Sequence, residues 1–147
     1  MMAARAVLLA TGLVLAGAAL AQAAPRSVWQ GIYSEEQAQR GAQVYNQRCA
    51  ACHGAALNGT GEAPGLTGGE FVSHYDQLSV GDLFERVRTS MPQNAPATLS
   101  RDEYADVVAF LLKANEFPAG PNPLDRRTEV LASIAFTAQK PANGAGE

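Results

Sequence analysis

Histidine and cysteine each occur twice in the 147 residues, methionine three times and tryptophan once. This scarcity is restrictive. The two cysteines, Cys49 and Cys52, lie three positions apart, so a disulfide between them would close a short, strained loop and staple almost nothing. A zinc site takes about four protein ligands. With no second Cys-x-x-Cys pair, Cys49, Cys52, His53 and His74 would have to supply them all. A thioredoxin-like dithiol needs a strand–helix setting, whereas the flanks read as a helix and a glycine-rich loop. Basic charge is short as well. Lys and Arg total 11 against 14 Asp and Glu, which argues against a nucleic-acid partner, since such partners favour a basic face. There is no internal repeat, and the long apolar run is confined to Ala6–Leu20.

What is present is concentrated. Cys49-Ala50-Ala51-Cys52-His53 uses both cysteines and one of the two histidines, and Cys-x-x-Cys-His is the attachment signature of a c-type haem. Two thiols must add to the two vinyl groups of one porphyrin. Residues three apart share a face of a helical turn, so Cys49 and Cys52 can reach neighbouring edges of one ring. His53 follows directly, and an imidazole is a standard axial ligand of haem iron.

The N-terminus bears on compartment. Arg5 precedes the apolar run, and Ala21-Gln22-Ala23 fits a small-x-small cleavage pattern. Residues 1–23 therefore read as a secretory signal peptide, cleaved at or near Ala23. The alternative is an uncleaved anchor, although the run is shorter than the usual spanning length of about 20 residues. No cysteine precedes Cys49 to carry a lipid. An exported chain is expected in the bacterial periplasm, with a mature form not embedded in a membrane. Its 124 residues (147 less 23) suffice for one small domain. Without Arg5 the formal net charge is −4, which favours a partner with a positive docking patch.

Residues 24–34 read as an extended lead-in carrying Pro25, Trp29 and Gly31. Ser34 is a good N-cap, with Glu35 and Glu36 in a favourable first turn. A helix is expected from there to about Arg48, with Gly41, Tyr45 and Cys49 on one face. Residues 54–70 are loop by their six glycines and Pro64. A helix is expected over Val80–Thr89, ended by Met91-Pro92. Ser100 and Glu103 form a capping box that opens a helix over Arg101–Asn115, burying Tyr104, Val107, Val108, Phe110, Leu111 and Leu112. Phe71–Asp76 is read as a polar-aromatic segment without a helix. The chain from Pro118 is read as an irregular extension, anchored by Leu124, Leu131, Ile134 and Phe136 and frayed from Pro141.

After signal removal Met91 is the sole methionine. It lies 38 residues beyond His53, next to a proline that restricts the backbone, and suits the Met/His arrangement of electron-transfer haems. His74 is the rival sixth ligand; its other reading is a solvated histidine.

The ordered set Gly41-x3-Tyr45-x3-Cys49-Ala-Ala-Cys52-His53-Gly54, Ala63-Pro64-Gly65-Leu66, Thr89-Ser90-Met91-Pro92 and Tyr104-Ala-Asp-Val-Val-Ala-Phe-Leu111 resembles a class I cytochrome c over nearly the whole mature domain. The resemblance implies an all-α fold whose N- and C-terminal helices cross around one covalently bound haem c. By position, Cys49 and Cys52 would form the thioethers, and His53 and Met91 would bind the iron. The Pro64 carbonyl would accept from the far nitrogen of His53, and Leu66 would pack on the haem. Gly41 and Tyr45 would cross the C-terminal helix near Val107 and Phe110. Trp29–Tyr33, Ser79–Phe84 and Leu112–Gly120 further resemble bacterial cytochromes found alone or fused to quinone-cofactor dehydrogenases.

The expected organisation is thus a signal peptide (1–23), a lead-in (24–34), a cytochrome c domain (35–117) and a C-terminal extension (118–147). The expected function is a non-catalytic periplasmic electron carrier cycling Fe(II)/Fe(III) in a respiratory chain, between a dehydrogenase donor and an oxidase or cytochrome acceptor. The alternative is a fixed haem subunit of a periplasmic dehydrogenase complex, for example one oxidising alcohols or sulfur compounds. A third possibility, catalysis or sensing with Met91 displaced, has no distal acid–base pair to support it.

Overall fold

Two 14-residue helices, α1 (Glu35–Arg48) and α5 (Arg101–Ala114), form the most extensive helix–helix contact of a computed structural model that describes residues 26–61 and 63–141. The signal-peptide segment 1–23 and the tail beyond Pro141 lie outside the described residues. Between the long helices run α2 (Ala50–His53), α3 (Gly69–Tyr75) and α4 (Val80–Ser90), and α6 (Thr128–Leu131) follows. Among the described residues the architecture is all-α, with isolated β-bridges only.

Local chemistry sets the helix ends. The Ser34 hydroxyl accepts from the Gln37 N–H, with Glu35 and Glu36 in the first turn of α1, where carboxylates offset the helix dipole. Ser100 and Glu103 form the expected capping box on α5, and Ser79 and Asp82 form a second one on α4. Each box satisfies N-terminal N–H groups that have no partner within the helix.

The α1–α5 crossing depends on Gly41. A Cβ there would lie 1.8 Å from the Asp106 carbonyl oxygen and 2.9 Å from Phe110 Cβ, so only glycine permits this approach. Tyr45 packs its ring 5.2 Å from that of Phe110. Arg40 spans the edge of the crossing, with bonds of 2.9 and 3.0 Å to the Asp106 carboxylate. Below the crossing Tyr104, Val107, Val108, Leu111 and Leu112 meet Leu83 and Phe84 of α4 in one buried core.

Lead-in and tail are stitched together. The Val28 N–H donates to Ala135 O (3.1 Å) and the Ala135 N–H to Arg26 O (2.8 Å). On its other side the same tail segment bonds to residues 77–80, with Phe136 N–H donating to Leu78 O and Val80 N–H to Ile134 O. Trp29 donates its indole N–H to Thr137 O and stacks edge-on against Phe117. Gly31 and Gly120 touch so closely that a Cβ on Gly120 would lie 2.0 Å from Gly31 O. Leu124, Leu131, Ile134 and Phe136 are all buried.

The structure departs from the expectations in four places. Gly69–Tyr75 is a helix where loop and non-helical segment were expected; the burial of Phe71 and Tyr75 one turn apart supports it. The extension includes the helical turn α6. α4 runs to Ser90, one residue further than expected, and α5 stops at Ala114 with Asn115 as its C-cap. No helix among the described residues is long and apolar enough to cross a membrane.

Candidate functional site

The Cys49–His53 turn is built by a break in the helix. Cys49 still donates its N–H to Tyr45 O (2.8 Å), but its backbone leaves helical values and α2 restarts at Ala50. The Cys49 carbonyl then accepts from both Cys52 N–H (3.1 Å) and His53 N–H (3.0 Å). Both thiols are free. Cys49 is half-buried, and burial pushes its thiol pKa up, against the pull of neighbouring Arg48. Cys52 is exposed.

His53 is buried, and its Nδ1 lies 2.8 Å from the Pro64 carbonyl oxygen. A carbonyl can only accept, so Nδ1 carries the proton of this bond, and in the neutral imidazole Nε2 is then the nitrogen with the lone pair. The loop is shaped to deliver Pro64. Gly59 has φ +78°, and a Cβ there would lie 2.5 Å from Ala63 O and 2.9 Å from the Pro64 carbonyl carbon. Gly59 N–H donates back to His53 O (2.8 Å), and the Thr60 hydroxyl donates to Cys52 O. The Tyr45 hydroxyl donates to Gly54 O at 2.7 Å. Burial, with a smaller push from Cys49, raises its pKa to about 12, which keeps this donor protonated.

Leu66 is partly buried against the core. Its N–H donates to Leu57 O, and its carbonyl accepts from the Asn115 amide at 2.9 Å. Asn115 also accepts from Gly68 N–H at 3.0 Å, so the end of α5 holds both ends of the Leu66–Gly68 segment.

Met91 caps α4. Its N–H donates to Val87 O (3.0 Å), its backbone is extended, and its side chain is half-buried. The Met91 carbonyl accepts from the buried Tyr104 hydroxyl at 2.8 Å. The loop that follows returns to the Cys49 turn through Arg48, whose guanidinium donates to the Thr98 hydroxyl (3.2 Å). His74 sits exposed on α3, edge-on to the Tyr75 ring. Among the described residues no three His, Cys, Asp or Glu side chains are grouped to share a metal ion, so the four-ligand zinc arrangement is not assembled.

This donor set fits haem c on the chemistry present: two free thiols on one turn, and an imidazole with one nitrogen engaged and the other available. The hydroxyls of Tyr45 and Tyr104 and the amide of Asn115 were not anticipated as parts of the site. Tyr45 and Tyr104 were read as packing residues and Asn115 as the end of a helix. A buried tyrosine needs a partner for its O–H, a signal that the partner exists but not which carbonyl it is.

Residues 36–111 match the family described as cytochrome c oxidase, cbb3-type, subunit III. Two curated relatives are the cytochrome c subunits of the cytochrome bc1 complexes of Corynebacterium diphtheriae and Corynebacterium efficiens. Each is 31% identical over 84 residues, covering 54% of this chain. The match spans 28% and 27% of their respective lengths, so it concerns one segment of larger proteins. Among solved structures, the sulfane dehydrogenase SoxCD of Paracoccus pantotrophus aligns with TM-score 0.49 and 20% identity, covering 76% of this chain and 60% of that one.

Proposed function

This chain belongs to the cytochrome c family, and from that premise we propose that it carries one haem c, covalently held by Cys49 and Cys52 with His53 and Met91 as axial ligands, and works as a periplasmic electron-transfer protein. The observation that carries the reading is the His53 Nδ1 to Pro64 O distance of 2.8 Å on the same turn that carries both free thiols. When bound there, haem supplies a one-electron Fe(II)/Fe(III) couple. The protein's part is to hold donors still. The Pro64 carbonyl orients the imidazole and raises its basicity. Tyr45 and Thr60 tie down the carbonyls that flank the turn. Met91 on the far side would leave no open coordination position, so the residues serve electron transfer rather than substrate chemistry.

The test is a haem stain on a denaturing gel together with an optical spectrum. The expected outcome is covalent haem on a chain of the processed size, and its loss in the Cys49→Ala, Cys52→Ala double variant. Met91→Ala should abolish the weak far-red band that marks methionine sulfur on ferric iron. Absence of covalent haem from the wild-type chain would overturn the reading. A periplasmic location rests on Ala6–Leu20 and the Ala21-Gln22-Ala23 pattern, and cell fractionation with N-terminal sequencing checks it.

A second reading is favoured by the names of the curated relatives, which are cytochrome c subunits of a cytochrome bc1 complex. On this reading the chain is a haem subunit held in a larger redox assembly. Native size exclusion separates the two, since a free carrier elutes at its own mass.

A further inference from the structure

Met91 begins a nine-residue loop that ends at Leu99, and one side chain closes both of its ends. Tyr104 lies in the first turns of α5 with its ring fully buried. Its hydroxyl donates to the Met91 carbonyl at 2.8 Å and accepts from the Leu99 N–H at 3.4 Å. The hydroxyl is itself anchored, because the Ser100–Glu103 capping box fixes the start of the helix that carries it. The loop's other ties are local or exposed: Ala95 N–H to Pro92 O, the Thr98 hydroxyl to Ala95 O, and Arg48 to Thr98. None of these reaches the Met91 carbonyl, and the helix-end bond from Met91 N–H to Val87 O (3.0 Å) ties only the amide side of that residue.

We propose that Tyr104 is a positioning residue for Met91: its hydroxyl holds the loop closed and so keeps the methionine sulfur presented toward the iron site against competing ligands. The proposal rests on Met91 being the sixth ligand. Packing alone would be served equally by phenylalanine, which fills the same volume. The hydroxyl adds one strong and one weak bond at the two ends of the loop, and its removal leaves the Met91 carbonyl without this donor. Such a group, half-buried and unpaired, shifts the balance toward open loop conformers in which water reaches it.

The test compares wild type, Tyr104→Phe and Tyr33→Phe, all haem-loaded. Tyr33→Phe is the control, because it deletes another buried hydroxyl–carbonyl bond (2.6 Å to Phe117 O) that makes no contact with the loop. The far-red band is recorded for each ferric protein, and imidazole is then titrated to displace the native sixth ligand. Tyr104→Phe is expected to keep the band without imidazole but to bind imidazole about tenfold more tightly than wild type. Tyr33→Phe is expected to lower thermal stability with imidazole affinity unchanged. Affinity within about twofold of wild type in Tyr104→Phe, or an equal rise in both variants, overturns the positioning role. A wild-type protein that lacks the band overturns the Met91 assignment, and the proposal with it.

Discussion

Replacing Gly41 with alanine sets two effects of opposite sign against each other. An alanine in the middle of α1 gains helix propensity, about 1 kcal/mol relative to glycine. The same methyl would sit 1.8 Å from the Asp106 carbonyl oxygen and 2.4 Å from its carbon. A carbon–oxygen contact needs about 3.3 Å, so α1 and α5 must move apart locally by about 1.5 Å. Both colliding groups are backbone, so no side chain can turn away. Overpacking of this kind costs about 1–3 kcal/mol, and the upper end applies here. Separation also loosens the Tyr45–Phe110 ring pair, for about 1 kcal/mol more. The clash therefore wins, with a net loss of about 3 kcal/mol. For a domain of this size that lowers the melting temperature by about 10 °C. Circular dichroism of the purified, haem-loaded protein measures it. A melting temperature equal to or above that of wild type would mean that propensity dominates and that the crossing is not as tight as described.

Other elements give independent checks. Hydrogen bonds from Arg88 and then Thr128 hold the Glu85 carboxyl down to about 2. A depressed carboxylate contributes stability that is complete above its ordinary pKa and is lost as pH falls toward about 2. Because this side chain is 31% exposed, water screens the pair and its contribution is about 1 kcal/mol. Glu85→Gln should therefore cost stability at neutral pH and flatten the acid limb of a urea-midpoint against pH curve, and an unchanged limb would contradict the assignment. Gly120→Ala would drive a methyl into Gly31 O and should destabilise the domain by about 1–3 kcal/mol. Limited proteolysis should then release the lead-in and the tail together. Cleavage of the tail alone would show that they are not one unit.

The features that could be read from the chain are those whose partners lie within a few residues. The Cys49–His53 turn is set by spacing along one helical turn, and the Ser100–Glu103 box is set by a reciprocal bond across three residues. The Ser79–Asp82 box obeys the same geometry but uses the shorter acid, and it escaped a pattern that looks for Glu or Gln. The helix Gly69–Tyr75 was hidden for a different reason. It starts at two glycines with no side-chain cap, and it buries Tyr75 against Phe136, a residue 61 positions away (136 less 75). Its stability is tertiary, and nothing local announces it. The tail is similar: Ile134–Thr137 gains order only because residues 26–29 and 77–80 flank it. The motifs Trp29–Tyr33, Ser79–Phe84 and Leu112–Gly120 carried no chemistry as sequence, yet they converge on this clasp. Trp29 meets Thr137 and Phe117, Gly31 meets Gly120, and a Cβ on Gly81 would lie 2.7 Å from Ala132 N. Their shared logic is close backbone approach, which requires glycine at the points of contact. The site follows the same division. The ligand candidates Cys49, Cys52, His53 and Met91 are legible because their side-chain chemistry is rare in this chain. The groups that brace the backbone around them, Tyr45 at Gly54, Tyr104 at Met91 and Asn115 at Leu66, are common residues, and they differ from ordinary core or cap residues only in which carbonyl each one reaches.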